Sequence, residues 1–269
     1  MIAPLGPVGL SALVLAFMVL VMSAGWFYQR IARNGGWADV FWTYGTGAAC
    51  TVLALLPFDG HAVPTWRQQI LGALMAAWAL RLGGYVAARV RHGAEDVRYA
   101  ALRDTWGSTF QRNMLVLLIV QAPASALLSL SVLVAARVPE PAVRGADVIG
   151  LLLMTTAMLG EGLADRQMRT FRSNPLNRGR LCDRGLWAWS RHPNYFFEWL
   201  LWVGLPIVAI QQSRAQGWLS LAAPGVMFVL LRWVTGVPGL EAAMLRTRGD
   251  AYRSYQRRVS VFLPLPPWR

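Results

Sequence analysis

Apolar runs of about 20 residues, repeated along nearly the whole chain, decide what it can fold into. A hydrocarbon core about 30 Å thick is crossed by roughly 20 helical residues, and only backbone that is hydrogen-bonded within itself is tolerated there. On that ruler the sequence divides into seven spans, about 8–28, 37–57, 68–88, 113–136, 146–164, 195–212 and 217–235, with a polar tail over 240–269. The expected fold is all-α: a seven-transmembrane-helix bundle forming one integral membrane domain over residues 1–269. The second span is the weakest, interrupted by Asp39 and by Gly-Thr-Gly at 45–47. The first run has no basic stretch before it and Gln29-Arg30 directly after it, so it reads as a retained helix rather than a cleaved signal.

The charge lies between these runs. Its +13 balance comes from 26 arginines and no lysine, set in short loops rather than on a soluble basic face, so nucleic acid is not an expected partner. Anionic lipid headgroups or a phosphorylated ligand are. With the N-terminus outside, the inside segments (29–36, 89–112, 166–194 and 236–269) hold 20 arginines and the outside ones four: Arg67, Arg137, Arg144 and Arg214. That asymmetry predicts a cytoplasmic C-terminus and a periplasmic N-terminus. Cys50 and Cys182 fall in a span and in a basic loop, too far apart to pair, and His61, His92 and His192 have no ligand spacing, so no metal is expected.

The stretch from Glu161 to Trp202 carries seven arginines, with one acid, Asp183, between the first of them and the last (Arg166 and Arg191). Positive charge on an inside loop orients a membrane protein, but guanidinium forks also suit phosphates. If the fifth span continues as a helix, Glu161, Asp165, Arg169 and Arg172 share one face, as a salt-bridge ladder or as a ligand site. Asn194 and Glu198 lie one turn apart at the start of the sixth span, near Tyr195 and Trp202, and a carboxylate there must find donors inside the bundle. Asp39 with Tyr44, and Arg81 with Tyr85, form another polar group. An acid beside a tyrosine positions a proton donor, whereas an Asp39–Arg81 pair would only tie two helices together. The 93–99 segment reads as an ordered lid or a solvated loop. The tail, with Tyr252, Tyr255, Arg257 and Arg258, is expected to fold back over the cytoplasmic mouth.

The motif G-L-W-A-W-S-R-H-P-N-Y-F-F-E-W (185–199), with A-D-R-Q-M-R-T-F-R (164–172), N-R-G-R-L-C-D-R (177–184) and A-Y-R-S-Y-Q-R-R-V-S-V-F-L-P (251–264), resembles the steroid 5α-reductase-like membrane enzymes, closest to a bacterial branch. The resemblance implies a seven-helix bundle in the bacterial inner membrane. It implies NADPH in a cytoplasm-facing cavity, reducing a carbon–carbon double bond conjugated to a carbonyl in a steroid, sterol or other lipid that enters from the bilayer. Asp165, Arg169, Arg172, Asn194 and Glu198 match nucleotide-site positions of the animal reductases, and Glu161 stands where those have asparagine. The remaining expected nucleotide contacts are Arg178, Arg180, Arg191, His192, Tyr195, Trp202, Tyr252, Tyr255 and Arg257. The glutamate–tyrosine pair that polarises the substrate carbonyl in the animal enzymes has no clean match. Asp39 with a tyrosine is its substitute: Tyr44 diverges from Asp39 by some 140° around a helix, so Tyr85, facing it from the next span, is the expected donor. Isoprenylcysteine carboxyl methyltransferases carry a similar R-H-P-x-Y and bind S-adenosylmethionine, whose lack of phosphate leaves the arginines unexplained. A non-enzymatic lipid-binding membrane protein is the third alternative.

Overall fold

A computed structural model describes residues 6–57, 63–139, 141–211 and 214–267. His61, residue 212 of the sixth expected span and residues 268–269 of the tail lie outside the described residues. Among them the chain forms α1 (Pro7–Ala32), α2 (Trp37–Leu55), α3 (Trp66–His92), α4 (Val97–Trp106), α5 (Phe110–Ile119), α6 (Ala122–Ala136), α7 (Gly145–Ser173), α8 (Pro193–Ala209), α9 (Ala222–Val229) and α10 (Val237–Arg258), with no β-strand. Five segments are long and apolar enough to cross a membrane: Pro7–Ala32, Trp66–His92, Val97–Ala136, Gly145–Ser173 and Ala215–Arg258. The molecule is a multi-pass helical membrane protein. α2 and α8, with 19 and 17 residues, are not among the five.

Three departures from the sequence reading have local causes. The fourth expected span breaks at Val120–Gln121 because Pro123, in the first turn of α6, has no N–H with which to continue the ladder. The seventh is a tight 3₁₀ stretch (Ala215–Leu221), α9, and a wide π turn (Leu230–Val234), closed before Pro238 restarts α10. Residues 97–106 form a helix rather than a loop, because the Asp96 side chain caps it by accepting from the Arg98 amide (3.0 Å).

Glycine sets the closest helix approaches. Gly47 of α2 lies against Ala79 of α3 with no room for a side chain, so the Gly-Thr-Gly that weakens the second span is where the two helices touch. Gly204 of α8 meets Met154 and the Gly150 carbonyl of α7 in the same way. These contacts enclose a core in which Leu71, Met75, Trp78, Leu128, Met154, Trp202 and Leu205 are fully buried.

At the end of α7 away from the arginine-rich loop, Asp147 accepts from Arg67 Nε (3.0 Å) and Nη2 (2.7 Å) and from Arg144 Nη2 (2.5 Å). Arg144 also donates to the Val208 carbonyl (2.7 Å). Arg67, expected in an outside loop, is thus a buried tie between α3 and α7, and Arg144 extends the junction to α8.

Candidate functional site

α7 continues helically to Ser173, so Glu161, Asp165, Arg169 and Arg172 do share a face. The partner of its two acids is Arg81 of α3. Its guanidinium pairs with Glu161, and its Nη1 reaches Asp165 at 3.2 Å. Arg81 therefore belongs to α7 and not to Asp39. One turn into α8, Glu198 is buried and accepts from two indoles, Trp78 Nε1 (2.8 Å) and Trp202 Nε1 (3.0 Å). Trp78 stands edge-on to both Trp202 (5.3 Å between centroids) and Trp42 (6.4 Å). Three carboxylates thus gather around one guanidinium inside a wall of tryptophans. Two buried donors of this group, Arg81 Nε and Trp42 Nε1, have no hydrogen-bond partner among the described residues.

Asp39 sits in the first turn of α2 and has different partners from those expected. It accepts from the Tyr99 hydroxyl at 2.6 Å and from Arg98 Nη2 at 2.7 Å, both on α4. Arg98 also binds Asp96 (3.0 Å) and the Thr235 carbonyl (3.3 Å), pinning α4 to the break after α9. Burial pushes the Asp96 carboxyl up, but Arg98 and Arg89 outweigh it and hold it below its ordinary value. Neither Tyr85 nor Tyr44 touches Asp39. The Arg169 guanidinium lies over the Tyr85 ring (5.5 Å to its centroid), placing Tyr85 beside the α7 acids. Tyr44 lies on Gly83 and is partly exposed. The tyrosine of the acid pair is therefore Tyr99, the last residue of the 93–99 segment read as a lid or loop. Its sequence signal was the Asp96 cap, which turns that segment into a helix.

The Asp39 group and the Glu198 group meet along α8. Tyr195, three residues before Glu198 and on the same face, lies within electrostatic reach of Arg98, Asp96 and Asp39. Asn194 is half-buried and makes no hydrogen bond within the chain among the described residues.

Four expected nucleotide contacts are already engaged. The tail folds back, and Glu241 of α10 is its hub. It accepts from Arg191 Nε (2.7 Å) and Nη2 (3.1 Å), from Tyr252 (2.9 Å) and from Gln256 (2.5 Å), and it hydrogen-bonds His192 Nε2 (3.1 Å). Arg191 also donates to the Gln256 and Val259 carbonyls (3.1 and 2.6 Å), and Tyr255 to the Trp187 carbonyl (2.5 Å). Burial pushes the His192 imidazole below its ordinary value, though the Glu241 hydrogen bond opposes this. Arg191, His192, Tyr252 and Tyr255 thus dock the tail rather than offer free donors. Glu241 itself gave no sign in the sequence, because Arg191 and His192, the two partners that tie it to the rest of the fold, are 50 and 49 residues away. Arg257 is exposed and makes no contact with the site.

Arg169, Arg172, Arg178 and Arg180 remain exposed and form no ion pair among the described residues. Cys182, beside them, is a free thiol that burial raises above its ordinary value, so it stays protonated.

Fold and site together define a helical membrane protein with a buried acid–guanidinium–tryptophan cluster and, farther along α7 and in the loop after it, exposed arginines that form no ion pair among the described residues. The chain belongs to the family described as protein of unknown function DUF1295, a steroid 5α-reductase-like membrane family, whose model matches residues 25–259. It is similar to an uncharacterised protein, C594.04c, of the fission yeast Schizosaccharomyces pombe, at 26% identity over 279 aligned positions covering 89% of this chain and 78% of the yeast protein. No solved structure matches significantly.

Proposed function

We propose that this protein is an NADPH-dependent reductase of a conjugated carbon–carbon double bond in an apolar, lipid-like enone, working in a bacterial inner membrane. In this reading all seven spans cross the bilayer, the C-terminus is cytoplasmic, and the site faces the cytoplasm. The observation that carries it is the juxtaposition on α7 of buried acids with Arg169 and Arg172, which have no ion-pair partner among the described residues. Guanidiniums without carboxylates suit phosphates, and NADPH has three.

The residues present fit the cofactor. Arg169 and Arg172 would hold phosphates, and Asn194, with its amide unpaired, would hold the carboxamide. Arg81 Nε and Trp42 Nε1 are buried donors with no acceptor among the described residues. Bound there, NADPH supplies a hydride to the β-carbon of the enone. Glu198, dry and fixed by two indoles, favours the positive charge that grows on the nicotinamide ring as hydride leaves. Tyr99 donates to the substrate carbonyl oxygen, where negative charge grows. Turning its O–H from Asp39 to that oxygen needs only rotation about the C–O bond, and Arg98 keeps Asp39 paired meanwhile.

The excess of buried carboxylate over guanidinium favours one second reading, a cationic ligand such as the sulfonium of S-adenosylmethionine. That ligand leaves the arginines without a role. Arg169→Ala and Arg172→Ala are each expected to weaken NADPH binding by roughly 1.5–3 kcal/mol, the worth of a hydrogen bond to a charged group. Calorimetry on the folded variants checks this. Wild-type affinity in both would return the arginines to a purely topogenic role.

A further inference from the structure

Arg232 lies inside an apolar run and has no part in the site described above. It sits in the π turn Leu230–Val234, within the membrane-length segment Ala215–Arg258. Three donors close the turn on one acceptor: the Thr235 and Gly236 amides (2.8 and 3.3 Å) and the Thr235 hydroxyl (3.3 Å) all reach the Leu230 carbonyl. A side chain at position 236 would run into the Leu231 backbone, so the closure needs glycine. Wide turns of this kind often mark functional positions. Arg232 is half-buried, and its side chain makes no hydrogen bond or ion pair among the described residues. His192, at the start of α8, is within its electrostatic reach, which puts the guanidinium at the arginine-rich end of the bundle.

The surroundings of Arg232 are those of a lipid boundary. The next two residues, Trp233 and Val234, are 58% and 57% exposed, and Phe228 stands edge-on to Trp233 (5.1 Å between centroids). A guanidinium at the edge of the bilayer without a counter-charge is costly, and one that merely reached out to water would be exposed rather than half-buried. An oxyanion on the membrane side removes that cost. We propose that Arg232 holds the phosphate of an anionic phospholipid, with an acyl chain lying along α9 past Val229 and Trp233. The fork suits the phosphate, and a tryptophan beside it suits the headgroup level. A zwitterionic phospholipid brings its own ammonium to the same phosphate, so the site prefers the anionic one. The bound lipid also braces the π turn, where the Thr235 carbonyl receives Arg98 (3.3 Å). The site needs no nucleotide and stands whether or not the reductase reading holds.

The full chain in neutral detergent is titrated with short-chain phosphatidylglycerol and phosphatidylcholine, and bound lipid is counted by native mass spectrometry. Wild type is expected to bind phosphatidylglycerol roughly fivefold more tightly, the scale of one arginine at an anionic surface. Arg232→Gln should erase that preference. Arg232→Lys, which keeps the charge, and Arg246→Gln, which removes an exposed charge on α10, should both retain it. No preference in wild type overturns the proposal, and so does an undiminished preference in Arg232→Gln. An equal loss in Arg246→Gln overturns it as well, because the effect is then one of net charge. If glycerol 3-phosphate displaces the lipid, the site takes a soluble anion and the proposal falls. A photoactivatable phosphatidylglycerol maps the contact in the unaltered chain, with label expected on the peptide spanning 222–236. Label absent from that peptide removes the site, even where Arg232→Gln does not fold.

Discussion

Tyr99→Phe is expected to leave NADPH affinity near wild type and to lower kcat by about two to four orders of magnitude, the usual contribution of a positioned proton donor. The hydroxyl is held at 2.6 Å from Asp39, and Arg98 approaches the same carboxylate at 2.7 Å. The substitution removes one oxygen and leaves the ring packed against Gly35. An effect on kcat with little on cofactor affinity marks an interaction made mainly in the transition state. Tyr85→Phe is the matching control: its ring lies under Arg169 rather than beside Asp39, so turnover should stay near wild type. Normal kcat in Tyr99→Phe would remove the proton donor from this account. Loss in Tyr85→Phe alone would move the chemistry to the α3–α7 side of the site.

Asp147→Ala is expected to destabilise the folded protein by about 3–5 kcal/mol, because deleting one partner of a buried pair strands the charge on the other. Arg67 is 1% exposed and Asp147 is fully enclosed, so no water replaces the lost carboxylate. Arg144, at 2.5 Å from the same group, loses its partner as well. Reversible unfolding in detergent checks the value. Adding Arg67→Met should recover part of the loss, since a neutral side chain of similar length removes the stranded charge. An unchanged unfolding midpoint in Asp147→Ala would mean that this junction does not hold α3, α7 and α8 together.

The helices were legible because apolar runs of membrane length leave few other folds, and α1, α3 and α7 start within two residues of their expected positions. The acid–arginine face of α7 was legible for the same reason: helical spacing fixes what shares a side. Which helix faces it was not. Arg81 could be matched to Asp39 or to Glu161 equally well from sequence, and the choice depends on packing set by Gly47 and Gly204. Tyr99 was hidden by the polar character of α4, whose Asp96 cap is its only local sign. Arg191 and His192 looked like free donors because their acceptor, Glu241, is distant in sequence and lies on a tail whose docking no periodicity reports.

Titration of the purified protein with NADPH and with S-adenosylmethionine, following tryptophan emission and its transfer to the bound nicotinamide, decides which of the two the site holds. Trp78 and Trp202 hold Glu198 at the site assigned to that ring, so NADPH is expected to quench them and to gain sensitised emission. S-adenosylmethionine is expected to leave the spectrum unchanged. Saturable binding of S-adenosylmethionine, with no response to NADPH, would contradict the reductase account.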